Sequence, residues 1–231
     1  MKTLTGKCDL KSCFLCRNSL EGWLPPIEAH KQNFHFRKGE SIFEEGGEVN
    51  GIYFLYTGKV KVHKQWGADK ELILKFAKPG DMIGYRGLGN TKLYPVTATT
   101  LEPVTVCFID LGFFESTLQV NHQLTYQLMK FYANELQDAE KRMRNLAHME
   151  VKGRLAETLL LLKERFGQDK DGHINISLSR QDIASFTGTT YETLFRTMTD
   201  LVKQKIIRLV GKRITILKEQ KLVELGTAKT I

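Results

Sequence analysis

An α+β architecture follows from three features of this chain. Short strands punctuated by glycine fill the first half, a run without glycine or proline fills the middle, and two short capped helices lead into a hairpin near the end. The order predicts an antiparallel β jelly roll or barrel, a long helix suited to dimerisation, and a C-terminal winged helix-turn-helix. The expected boundaries are a cysteine-containing segment over 1–20, the barrel over 21–114, the long helix over 115–149 and the winged helix-turn-helix over 150–231.

A length of 231 residues suits one large domain or two modest ones, and 42% hydrophobic residues supply a core easily. No stretch approaches the eighteen apolar residues of a membrane-spanning helix. The N-terminus has lysines but no apolar core segment, so no secretory signal is expected and the location expected is cytoplasmic. Net charge is +8 and uneven: residues 151–231 hold 15 Lys and Arg against 9 Asp and Glu, whereas residues 1–150 hold 19 against 17. A basic excess in the last third favours polyanions through counterion release, and it equally suits a solvated surface.

From about Phe34 to Phe114, the segments GIYFLYTG (51–58), KVKVHK (59–64), ELILKF (71–76) and PVTVCFID (103–110) read as strands. Their alternation and their β-branched and aromatic residues carry that reading. The helical run from Glu115 to Met149 places Leu128, Tyr132, Leu136, Ala139, Met143 and Leu146 in steps of four and three, a coiled-coil-like seam. About 30 residues make a helix some 45 Å long, so part of the stripe is expected to pack on the same helix of a second subunit. A second helix, KGRLAETLLLLKERF, aligns Leu155, Leu159 and Leu162. Asp171-Gly172 then marks a turn, and HINISL (173–178) alternates as a strand.

Ser179 with Asp182 is a capping-box helix start, and the helix runs to about Phe186 before Thr187-Gly188 breaks it. Thr189 with Glu192 reads as a second capping box, opening a helix to about Gln204. Two helices joined by a short turn with glycine form the helix-turn-helix pattern. Leu194, Met198 and Leu201 should face the core; Glu192, Phe195, Arg196 and Thr199 lie on another side. Arg196 suits bidentate pairing with guanine, and Glu192 can accept from the amine of cytosine. A surface Glu–Arg pair explains the same spacing, but the first two turns of a second helix are where recognition helices touch bases. IIRLV (206–210), the turn Gly211-Lys212 and RITIL (213–217) read as a hairpin wing whose Lys212 and Arg213 suit phosphate contacts. Arg180, Thr190 and Tyr191 complete the candidate double-stranded-DNA contacts.

Cys8, Cys13 and Cys16 fall within nine positions, and the chain has one further cysteine, Cys107. In a reducing compartment such a cluster more often binds metal or senses redox state than forms structural disulfides. Zinc with a fourth ligand such as His30 or His35, a thiol switch, and a Cys107 that is simply a small buried hydrophobe are all compatible with the spacing. A barrel enzyme would need a histidine and carboxylate cluster. Only His35 and His63 lie in the strand-rich stretch from Phe34 to Phe114, with no His-x-His pair, so no enzyme is expected.

Barrel, long helix and winged helix-turn-helix, in that order, resemble the Crp–Fnr superfamily of bacterial transcription regulators. The resemblance rests on RKGESIFEEGGEVNGIYFLYTGKVKV (37–62), KPGDMIGYRGLG (78–89), SRQDIASFTGTTYETLFRTMTDLVKQKII (179–207) and GKRITI (211–216). It implies a homodimer on palindromic DNA half-sites, RNA polymerase as a partner, and an effector sensed in a cyclic-nucleotide-binding-like barrel. Glu192 and Arg196 match the family's Glu-x-x-x-Arg pair. Phe195 stands where the fumarate–nitrate branch has serine, which alters the half-site expected.

In the family's cyclic-nucleotide binders, a Gly-Glu precedes an Arg-Ser or Arg-Thr by about ten residues. Here Gly80-Asp81 is followed by TKLYPVTA, without arginine, and Arg86 comes too early. The resemblance therefore argues against cyclic AMP and leaves Gly80, Asp81, Gly84 and Arg86 as the effector-pocket candidates. The fumarate–nitrate branch instead holds a [4Fe–4S] cluster on N-terminal cysteines plus one distant cysteine after a run like LEPVTVCFID. Cys107 falls at that place, and Cys8, Cys13 and Cys16 supply the rest, although their Cys-x4-Cys-x2-Cys spacing differs from the branch's Cys-x2-Cys-x5-Cys. Haem also occurs in the superfamily, with His63, His122 and His148 as candidate ligands here.

Overall fold

The computed structural model describes residues 2–3, 13–67 and 70–227, and the chain divides into two compact units, 1–136 and 137–231. The division falls inside a helix.

The first unit opens with strand β1 (Lys2–Thr3) and two short helices, α1 (Phe14–Asn18) and α2 (Leu24–His30). Neither helix was expected; Pro25 and Pro26 occupy the first turn of α2, where their missing N–H groups cost nothing. Eight strands follow: β2 (Gln32–Phe36), β3 (Ser41–Phe43), β4 (Gly51–Thr57), β5 (Val60–Trp66), β6 (Lys70–Ala77), β7 (Met82–Ile83), β8 (Thr97–Thr100) and β9 (Val104–Asp110). They form an antiparallel sheet in the order β1-β2-β9-β4-β7 and another in the order β3-β8-β5-β6.

Side-chain alternation in β9 splits the core in two. Val104 and Val106 join a barrel cluster with Phe36, Leu55, Val60 and Ala98. Cys107 and Ile109 face the other way, into a cluster with Ile27, Phe54, Phe114, Leu124 and Leu128. Gly51 begins β4 where a Cβ would stand 2.2 Å from the Ile109 carbonyl oxygen, so only glycine lets β4 and β9 approach this closely.

The helical run expected over 115–149 is two helices, α3 (Leu111–Val120) and α4 (His122–His148). The division is at Asn121, whose φ of −109° and ψ of 78° leave the helical region, while its Oδ1 accepts from the Leu124 N–H at 3.2 Å. The seam of α4 also differs from expectation. Leu124 and Leu128 are buried in the first unit, whereas Met129, Tyr132, Leu136, Met143 and Leu146 are exposed. The outward stripe thus begins at Met129, keeping steps of three and four through Ala139, and Leu128 belongs to the core.

The second unit contains the remainder of α4, then α5 (Val151–Phe166), α6 (Arg180–Thr187), α7 (Tyr191–Lys203), the hairpin β10 (Ile207–Val210) and β11 (Arg213–Ile216), and α8 (Glu219–Gly226), which was not expected. Leu155, Leu159 and Leu162 are buried as their spacing required. The strand expected over 173–178 is reduced to isolated bridges at its start: His173 bridges Thr215 of β11, the Ile174 N–H donates to Ile214 O at 2.9 Å, and Ile174 bridges Gln168, while Ile174, Ile176 and Leu178 are buried.

Replacing Gly51 by alanine should destabilise the first unit by about 1–3 kcal/mol through overpacking against the β9 backbone. Denaturant unfolding followed by circular dichroism would check it; an unchanged midpoint would mean that β4 and β9 can separate at no cost.

Candidate nucleic-acid interface and sensor site

The first helix of the pair is capped at both ends by local chemistry. Ser179 Oγ accepts from the Asp182 N–H at 2.9 Å, and Asp182 Oδ2 accepts from the Ser179 N–H at 3.1 Å, the reciprocal box the sequence predicted. At the other end Gly188 adopts φ +71°, and a Cβ there would lie 2.3 Å from Leu146 Cδ2. The carbonyls exposed by this turn find arginine donors: Arg154 Nε to Thr187 O at 3.1 Å, Arg154 Nη2 to Gly188 O at 3.0 Å, and Arg142 Nη2 to Phe186 O at 2.7 Å. Cations at a helix C-terminus also oppose its dipole. Sequence reasoning missed Arg142 and Arg154, which sit on other helices.

The cap of α7 is Thr190, not Thr189: Thr190 Oγ1 accepts from the Thr193 N–H at 3.3 Å, and Glu192 takes no part in a capping box. That leaves the Glu192 carboxylate for other work. Leu194, Met198 and Leu201 are buried, while Tyr191, Glu192, Phe195 and Arg196 are exposed. Among the described residues no ion pair joins Glu192 to Arg196, so the surface-pair explanation of their spacing does not hold in this structure. The Tyr191 and Phe195 rings stack at 6.4 Å and 15°, side by side on the exposed face. Thr199 is partly spent, its hydroxyl donating to Phe195 O at 2.8 Å. Phe195, Arg196, Thr199 and Lys203 line a shallow groove of about 320 Å³.

On the wing, Lys212 is exposed at the turn, and Arg213 stands 3.8 Å from Asp171 in a solvated pair. Arg180 is half-buried, and its Nη2 donates to the Gly211 carbonyl at 2.8 Å. The first residue of α6 therefore holds the wing turn directly.

In the first unit Cys13, Cys16 and Cys107 are all buried in one apolar cluster. Cys13 caps α1, its Sγ accepting from the Cys16 N–H at 3.3 Å, and Cys107 pairs across the sheet with Phe54 and Asn33. Cys8 lies outside the described residues. Among those residues, Asp169, Asp171 and His173 are the one set of three whose ligand atoms all lie within 4.8 Å of one another, so the three described thiols are not gathered around a single-ion position. Asp169 is occupied in shaping its loop, with Oδ1 accepting from the N–H groups of Asp171 and His173.

Of the four effector-pocket candidates, Arg86 lines a cleft. Gly80 bonds by its backbone, its oxygen accepting from Phe14 N at 3.1 Å and its N–H donating to Leu55 O at 2.8 Å. Asp81 Oδ2 accepts from the Lys78 N–H at 2.8 Å and closes a turn. Gly84, at φ +85°, starts the 3₁₀ turn Tyr85–Leu88. Arg86 does flank an open cleft of about 490 Å³, but its Nη2 is 3.1 Å from Glu135 Oε2 of α4. The same carboxylate receives Lys75 Nζ at 2.6 Å on Oε1 and the Tyr85 hydroxyl on Oε2. Tyr132, one turn earlier on α4, donates to the Tyr85 carbonyl at 2.7 Å. Burial alone would push the Glu135 carboxyl up, yet Lys75, Tyr85 and Arg86 outweigh burial and hold it below the usual carboxylate range. Burial, then the Glu135 charge, pushes the Tyr85 hydroxyl up, which keeps it a donor.

A model of the cyclic nucleotide-binding domain matches residues 33–121, and one of the Crp-like helix-turn-helix domain matches residues 153–225. The anaerobic regulatory protein of Pasteurella multocida is 29% identical over 197 residues, covering 84% of this chain and 72% of its own length. The CRP-like cAMP-activated global transcriptional regulator of Mycobacterium tuberculosis is 28% identical over 193 residues, covering 83% and 86%. FixK2 from Bradyrhizobium japonicum superposes with a TM-score of 0.77 at 27% identity, over 87% of this chain and 99% of its own. The chain belongs to the Crp–Fnr superfamily.

As a Crp–Fnr regulator it is a transcription regulator that carries its DNA-binding domain on α6 and α7. No helix among the described residues is long and apolar enough to cross a membrane. The residues missed from sequence in the first unit of this Crp–Fnr protein are Lys75, Tyr85 and Glu135. No local signal marks them, because Glu135 meets its donors across 60 and 50 positions of chain.

Because the folded-state pKa of Glu135 is lowered, its contribution to stability is fully present above the unfolded value of about 4.3 and is lost as pH falls through the folded value. Thermal unfolding of the wild type should therefore lose more stability on acidification below about pH 4.3 than that of Glu135→Gln. Parallel acid profiles for the two proteins would contradict the assignment.

Proposed function

We propose that this Crp–Fnr regulator binds palindromic double-stranded DNA as a homodimer and reads each half-site with α7. The observation that carries the reading is the exposed, mutually unpaired Glu192 and Arg196 on the first two turns of a capped second helix. Arg196 reads guanine, Glu192 accepts from cytosine, and the Tyr191 and Phe195 rings lie beside them, suited to a thymine methyl or the sugar backbone. Lys212 and Arg213 take phosphates, while Arg180 positions the wing. The outward stripe Met129, Tyr132, Leu136, Met143 and Leu146 supports pairing with the same helix of a second copy. RNA polymerase as partner and a cytoplasmic location accompany this reading; it assigns the chain no reaction.

A signal sensed in the first unit gates that binding. Cys13, Cys16 and Cys107, three thiols from two separate parts of the chain in one apolar cluster, are a donor set suited to a [4Fe–4S] cluster, with Cys8 as the fourth ligand. Such a cluster, when bound, supplies an oxygen- and redox-sensitive centre. The second reading, in which these cysteines are structural and no cofactor is held, is favoured by the same burial, since Cys107 packs as any small apolar residue of β9 would. Cyclic AMP belongs to neither reading: Gly80-Asp81 is not followed by arginine at the family's spacing, and Arg86, which comes too early, is 3.1 Å from Glu135.

Arg196→Ala should weaken specific binding by about 1–3 kcal/mol and relax preference at one base pair, whereas Lys212→Ala should weaken specific and random DNA alike. Electrophoretic mobility shifts against an operator selected from random sequence would measure both. Identical behaviour of the two variants on specific and random DNA would remove α7 from the reading role.

Protein purified without oxygen should contain about four irons and four acid-labile sulfides per chain and bleach in air. Iron-free, colourless protein that binds the operator equally in both atmospheres would establish the second reading.

A further inference from the structure

Lys75, Tyr85 and Arg86 converge on one point of the barrel wall, and each offers a donor there. Lys75 is on β6, and Tyr85 and Arg86 are on the turn after β7, so the group is assembled by the barrel alone. Phe131 closes one side, with Lys75 Nζ 5.1 Å from its ring centre and the Tyr85 ring edge-on at 4.8 Å. The Lys75 and Arg86 side chains are 14% and 33% exposed. Two cations so shielded, with a hydroxyl donor between them, form a site for a carboxylate or a similar small anion.

We propose that this is an anion site whose resident occupant is the chain's own Glu135, so that an internal carboxylate seats α4 on the barrel where an anionic effector would otherwise be received. Both Glu135 oxygens are used: Oε1 by Lys75, and Oε2 by Tyr85 and Arg86. Removing Glu135 would leave two half-buried positive charges without a counter-charge, which is far costlier than losing a surface pair. A small anion arriving from solution has to displace a carboxylate that is tethered and already in place. The site therefore answers to the position of α4 rather than to dissolved anions. The inference is independent of the DNA-reading residues and of any cysteine-bound group.

The test is chemical rescue on the full chain. Glu135→Ala opens the site, and its thermal midpoint should fall by several degrees. Sodium formate or acetate at tens of millimolar should restore at least half of the loss, sodium chloride at equal ionic strength should not, and the wild type should respond to none of them. Operator affinity should fall and recover in parallel with the midpoint. A Glu135→Ala protein as stable as wild type, or one that formate and chloride affect equally, overturns the proposal. Should Glu135→Ala fail to fold, Glu135→Gln keeps the shape without the charge. A midpoint for that variant equal to wild type at neutral pH overturns the proposal, and a lowered one supports it.

Discussion

One helix has only one circumference, and α4 must divide it among three demands. At 3.6 residues per turn, a rotation by a single position carries every side chain through about 100°. Leu124 and Leu128 face the core of the first unit, Glu135 faces its ring of donors, and Met129, Leu136 and Met143 face solvent, with Tyr132 and Leu146 only partly exposed beside them. These three sets are compatible at one angular setting only. Apolar contacts such as those of Leu128 tolerate small slides, because dispersion is not directional. The Glu135 contacts are directional, since each oxygen is matched to named side-chain donors on β6 and on the turn after β7. The polar point therefore selects which stripe of α4 is left outward, and with it the surface available to a second copy.

The reading head follows a different logic, in which everything is settled close at hand. The Gly188 turn is possible because that residue lacks a Cβ and fits against Leu146. The carbonyls it exposes are answered by Arg154 and Arg142. Thr190 satisfies the start of α7 without help from Glu192. Stability of the motif and the side chains available for reading are thus drawn from separate residues, so the outward face of α7 carries Glu192 and Arg196 uncommitted.

Much of the architecture was legible because its signals are periodic or local. Alternation marked β4, β5, β6 and β9, the reciprocal Ser179 and Asp182 box marked α6, and the spacing of Leu194, Met198 and Leu201 marked the buried face of α7. What stayed hidden depends on distant partners. Glu135 reads as one more solvated helical glutamate until Lys75 and Tyr85 are folded against it. The segment His173–Leu178 alternates like a strand, yet only its first residues bridge β11, through His173 to Thr215 and the Ile174 N–H to the Ile214 carbonyl. The helix α2 hides behind Pro25 and Pro26, and the seam was misplaced by one residue at Leu128 because sequence cannot say which of two adjacent apolar residues the barrel will take.

The bond from Arg180 to the Gly211 carbonyl joins the first residue of α6 to the tip of the wing. A turn at φ +59° on an exposed hairpin would ordinarily sample several shapes in solution. Tied at its carbonyl, it does not have to be ordered by the duplex when the two meet. That entropy is settled during folding, so under the proposed reading α7 and Lys212 would meet DNA as a single preformed footprint, with less of their interaction energy consumed in arranging them.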